Sequence, residues 1–77
     1  MPSAFVLVST LGAENDVLKN LKSDESVVEV FAVQSVYDFV VKVKAETFDK
    51  LKEVIARIRK SEPKPNSVLT MLVVEDM

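Results

Sequence analysis

Asp38 is the acidic residue whose setting invites chemistry. It follows Tyr37 and precedes the apolar run Phe39-Val40-Val41, so its carboxylate stands at the start of a strand-forming segment beside Gln34-Ser35-Val36. A carboxylate at a sheet end can receive an ammonium group through charge-assisted hydrogen bonds. It can equally end the turn and cap loose backbone N–H groups. Tyr37 has a similar pair of readings, a core aromatic by periodicity or a hydroxyl reaching solvent. Ser67 and Thr70 carry hydroxyls able to bind a small polar ligand, although Thr is also a good strand former and Ser a common turn residue. Lys42 and Lys44 could attract an anion, or be solvated charges that keep sheets from stacking.

Other chemistries are absent for want of residues. The chain has no Cys and no His, which removes thiolate and imidazole nucleophiles, the usual zinc sites and the physiological-pH switch. Ahead of the terminal Glu75-Asp76 pair, the acids are scattered as Glu14, Asp16, Asp24, Glu25, Glu29, Asp38, Glu46, Asp49, Glu53 and Glu62. None forms a buried pair beside a nucleophile, so general acid–base catalysis has no support and no catalytic residue, metal or cofactor is expected. The lone Gly12 cannot form a glycine-rich phosphate loop, and Phe31 and Phe39 lack the basic and glycine neighbours of an RNA-binding sheet. A net charge of −2 argues against direct contact with nucleic acid. The longest uncharged apolar run, Ala4 to Val8, is too short to span a membrane or form a signal-peptide core, and no basic side chain precedes it. A soluble, cytoplasmic protein is expected.

The elements that must position these residues follow from periodicity. Ala4 to Thr10 is almost unbroken in apolar and β-branched residues and meets Gly12, which reads as a central strand buried on both faces. Ala13 to Ser23 places Val17, Leu18 and Leu21 on one helical stripe, with Glu14 and Asp16 early and Lys19 and Lys22 late. Val27 to Val33 and Tyr37 to Ala45 are two strands joined by Gln34-Ser35-Val36, a hairpin whose second strand turns its odd-numbered side chains to the core. Thr47 suits an N-cap, and Phe48, Leu51, Val54, Ile55 and Ile58 keep helical spacing to Lys60. Pro63 and Pro65 stop that helix, and Val68 to Val74 forms a last strand ending at Glu75-Asp76.

Seventy-seven residues leave room for one domain. The order β-α-β-β-α-β is that of the α+β, ferredoxin-like plait, in which right-handed crossovers put both helices on one face of a four-stranded antiparallel sheet. The other face stays bare, yet Phe5-Val6-Leu7-Val8, Val27-Val28 and the last strand are apolar at consecutive positions. Apolar residues on both sides of strands in so short a chain predict a dimer packed through the sheet, of the dimeric α+β barrel type.

The segments Ala4-Phe-Val-Leu-Val, Val27-Val-Glu-Val-Phe-Ala-Val, Tyr37-Asp-Phe-Val-Val-Lys-Val and Leu69-Thr-Met-Leu-Val-Val-Glu together resemble the ligand-binding domain of the Lrp/AsnC transcription regulators, also called the RAM domain. The likeness covers essentially the whole chain, and the Tyr37-Asp38 step is its most specific part. It implies dimers made by apposed sheets, rings of dimers, and amino-acid effectors held between dimers. It further implies a stand-alone effector domain spanning residues 1–77, without a helix-turn-helix, whose role in regulating amino acid metabolism is indirect, through co-assembly with full-length relatives or another partner. The ligand-contacting positions carried over are Gln34, Ser35, Val36, Tyr37 and Asp38 in the hairpin, with Ser67, Leu69 and Thr70 in the last strand. Two departures stand out: Ser35 where the family usually has Gly, and Val68 where a hydroxyl is common. Other functions of the same fold are a ligand-free assembly protein and a small dimeric α+β-barrel enzyme.

Overall fold

A computed structural model describes residues 2–62 and 64–74. The expected helix stop at Pro63 lies outside the described residues, and the last strand, expected over Val68 to Val74, runs from Ser67 to Leu72 instead. The chain runs through β1 (Ser3–Ser9), α1 (Glu14–Ser23), β2 (Val27–Ala32), β3 (Phe39–Lys44), α2 (Phe48–Lys60) and β4 (Ser67–Leu72). The strands form one antiparallel sheet in the order β2-β3-β1-β4, so β1 is central as its apolar run predicts.

Register decides which side chains meet the helices. Val6 lies between Val41 of β3 and Thr70 of β4, and Val8 between Phe39 and Val68. Directly opposed residues share a sheet face, so Ala4, Val6 and Val8 join Phe39, Val41 and Val43 in the core, against Val17 and Leu21 of α1 and Leu51, Val54 and Ile58 of α2. Each fully buried aliphatic of this set contributes about 1.5–3 kcal/mol of transfer free energy. The odd-numbered side of β3 is inward as expected. β1 departs from the expectation of two buried faces: Val6 and Val8 are 0% exposed, but Phe5 and Leu7 remain partly open within the single chain.

The outward face carries Phe5 and Leu7, with Met71 and Leu69 of β4 on one side and Lys42 and Val40 of β3 on the other. Phe31 of edge strand β2 extends it, and Phe31, Leu69 and Met71 are each exposed over nearly half their surface. The Lys42 ammonium sits 5.9 Å from the centre of the Phe5 ring, within cation–π range. A bulge between Val27 and Glu29 shifts the β2 register, so Val27 and Val30 pack on the core while Val28 is exposed.

Several element ends differ from the periodic reading, each for a local reason. β1 stops at Ser9 because the Thr10 N–H turns to the Asp38 carboxylate. β3 starts at Phe39, leaving Tyr37 and Asp38 in the connection, because the Ser35 hydroxyl accepts the Tyr37 N–H at 3.0 Å and bends the chain there. The hairpin loop therefore covers 33–38 rather than the expected three residues. Phe48, the first residue of the apolar helical spacing, is exposed, with the Lys52 ammonium 5.3 Å from its ring centre. Thr47 caps α2 as its position predicts, its Oγ1 accepting the Lys50 N–H at 3.1 Å.

Candidate functional site

Three segments meet at one end of the sheet: the hairpin loop 33–38, the end of β1 at Ser9-Thr10, and the start of β4 at Ser67. Backbone bonds hold them together. The Asp38 N–H donates to the Val8 carbonyl at 2.9 Å, the Val33 N–H to the Asp38 carbonyl at 2.9 Å, and the Asn66 N–H to the Ser9 carbonyl at 2.8 Å. Ser9 stands opposite Ser67 in the ladder.

Asp38 is the hub. Its Oδ2 accepts the Thr10 N–H at 2.7 Å and the Thr10 hydroxyl at 3.0 Å. Thr10 is only 6% exposed, so these bonds to a charged acceptor are shielded and of the stronger kind. Oδ1 has no hydrogen-bond partner among the described residues, and no buried side-chain oxygen there lacks one, so Oδ1 reaches solvent. One oxygen thus caps backbone, and the other is open to a donor.

The remaining candidates divide by place. Gln34, Ser35 and Val36 are exposed in the loop, with Val36 at 84%, and Tyr37 is half-buried beside Asp38. Ser35 does not adopt positive φ; Gly12 alone does among the described residues, at +79°. Ser67 is exposed at the same sheet end, and Leu69 lies on the open face opposite Leu7. Thr70 lies on the helix face opposite Val6, where its Oγ1 accepts from an Arg59 guanidinium N–H at 3.3 Å. Within one chain Thr70 is therefore not gathered with the loop. Thr10 is the residue sequence reasoning missed; its sole signal was a hydroxyl closing an apolar strand just before Gly12.

Other surfaces offer less. A groove of about 740 Å³ runs between α1 and α2, floored by Leu21 and Ile58 and closed by the Arg57–Asp24 ion pair, and no hairpin-loop residue lines it. Among the described residues no cluster of acids could hold a metal ion, and no helix is long and apolar enough to cross a membrane.

An open-faced ferredoxin-like plait with a polar loop cluster at one sheet end defines a class of small α+β domains, and within that class the chain can be placed. It belongs to the Lrp/AsnC ligand-binding domain family, whose model matches residues 3–77. Hypothetical protein PHS023 from Pyrococcus horikoshii is 30% identical over 99% of this chain and 93% of its own, with a TM-score of 0.86. TTHA0845 from Thermus thermophilus is 25% identical over 100% of this chain and 98% of its own, with a TM-score of 0.90. The Neisseria meningitidis transcriptional regulator NMB0573, solved with L-Met, shares the fold at 15% identity and a TM-score of 0.84; the match covers 99% of this chain and 51% of that one. No curated protein matches the chain in sequence. The family is one of regulatory, non-enzymatic ligand-binding domains.

Proposed function

We propose that this chain is a non-catalytic module that binds an amino-acid effector and couples its binding to self-assembly. The observation that carries the reading is Asp38, with one carboxylate oxygen fixed by Thr10 and the other open at the sheet end. Oδ1 receives the effector ammonium. The loop 34–38 together with Ser67 and Leu69 supplies the surrounding contacts, and Thr70 enters from a second dimer or after its Arg59 contact opens. The apolar face around Leu7 packs on a second copy, which removes Phe5, Phe31, Leu69 and Met71 from water. The L-Met bound by the Neisseria regulator supports the ligand class.

Mechanism follows by linkage: an effector at the loop shifts assembly only by its differential affinity for the two assembly states. Full-length regulators of the family are the further partners through which such a shift reaches transcription.

The test is solution mass and thermal stability with each of the twenty amino acids in turn. An effector at 100 times its Kd should stabilise the fold by about 2.7 kcal/mol. A flat panel with unchanged mass would favour a second reading, a ligand-free assembly protein. The commitment of Asp38 Oδ2 to Thr10 is the observation on that side, since it gives the carboxylate a structural task without any ligand.

A further inference from the structure

We infer that Thr10 is the positioning residue of the effector site, setting its preference for ligands that carry an ammonium group; the inference rests on the effector reading above. A surface Asp samples several rotamers and turns its charge freely. Asp38 does not have that freedom, because two donors from one residue converge on Oδ2: the Thr10 N–H at 2.7 Å and the Thr10 hydroxyl at 3.0 Å. The backbone on both sides is tied as well, with the Asp38 N–H on the Val8 carbonyl and the Asp38 carbonyl accepting from Val33.

The consequence is a division of labour between the two oxygens. Oδ2 is occupied by two neutral donors, which orient the carboxylate, and Oδ1 is left as an acceptor for a cation. Pre-orientation of this kind lowers the ordering cost of binding. Thr10 itself is nearly buried and need not touch the ligand. Its neighbour Leu11 is 79% exposed, and Val36, two residues before Asp38 in the hairpin loop, 84%. The segments that Thr10 and Asp38 join thus each carry an exposed apolar group.

The test uses the full chain and titration calorimetry with each of the twenty L-amino acids, then with the 2-hydroxy acid analogue of any that bind, which keeps the carboxylate and side chain but lacks the ammonium. The parent should prefer the amino acid. Thr10→Ser, which keeps both donors, should hold the amino-acid to hydroxy-acid ratio within twofold. Thr10→Val, which removes the hydroxyl donor, should lower that ratio about tenfold, as expected for loss of one hydrogen bond to a charged group. Thr10→Ala is the substitute should the valine variant not fold. A ratio within one folded variant is insensitive to a general loss of stability, so equal weakening of both ligands would mean that Thr10 is merely structural and would overturn the inference. An unchanged ratio would overturn it too while leaving the effector reading in place. A parent that binds no amino acid at all would overturn both.

Discussion

Val6 and Leu7 are neighbours in β1 with opposite orientations, and a charge at each should have opposite consequences. Val6 is 0% exposed, between Val41 and Thr70 beneath the helices. Val6→Asp loses about 1.5–3 kcal/mol of burial and adds the cost of an unpaired buried charge, several kcal/mol more. A domain of 77 residues has a total stability of roughly 4–12 kcal/mol, taking about 0.05–0.15 kcal/mol per residue. The variant should therefore be mostly unfolded. Leu7 lies at the middle of the open face, between Val40 and Leu69, and is only partly covered in a single chain. Leu7→Asp should leave the fold cooperative. In a two-fold dimer, however, the lost burial counts once in each copy, about 3–6 kcal/mol in all, or roughly 10²- to 10⁴-fold in the dimer dissociation constant. Circular dichroism melts and sedimentation at micromolar concentration read the two effects separately. Unfolding by Leu7→Asp, or a parent that already sediments at 8.6 kDa, would refute the assignment of the open face as the surface that packs on a second copy.

Asp38→Asn should keep the fold, since an amide oxygen can still accept from Thr10, but weaken binding of any amino-acid effector more than tenfold in calorimetry; affinity within twofold of the parent would remove the effector site from this loop. Ser35→Gly should tighten that binding, because the Ser35 hydroxyl occupies the Tyr37 N–H at 3.0 Å and its removal frees a donor for the effector carboxylate. An unchanged Kd would show that the loop backbone does not receive the carboxylate. Thr47→Ala should cost about 1 kcal/mol by removing the α2 cap, lowering the melting temperature by about 4–8 °C. A smaller shift would mean that water replaces the cap without loss.

The strands and helices were legible because their signals are periodic and local. Leu51, Val54 and Ile58 announce the inner stripe of α2, and Phe39, Val41 and Val43 the inner side of β3. The hairpin loop was less so: a spacer reading counts strand formers, and Tyr37 counts as one, whereas the Ser35 side chain bends the chain through the Tyr37 backbone. Alternation equally could not assign Phe48, whose place in the first turn of α2 leaves it exposed. Asp38 was visible from its neighbours in sequence, but Thr10 was not. Their contact joins residues 28 positions apart and depends on antiparallel register between β1 and β3, which no window of sequence contains. The same holds for Thr70, whose face is set by Val6 opposite it.

The place of β1 in the sheet also governs how the chain acquires its structure. β2 and β3 form a local hairpin, but β1 must find β3 and then β4, pairing Ala4 with Leu72 and Ser9 with Ser67 across most of the sequence. Such distant pairings raise contact order and slow folding. During synthesis the apolar run Phe5-Val6-Leu7-Val8 emerges first, yet it lacks one of its two partners until Ser67–Leu72 has been made. For that interval one edge of this inner strand is unpaired, a state prone to association with other nascent chains. Release of the final strand, rather than formation of either helix, is thus the event that commits a newly made chain to its native sheet.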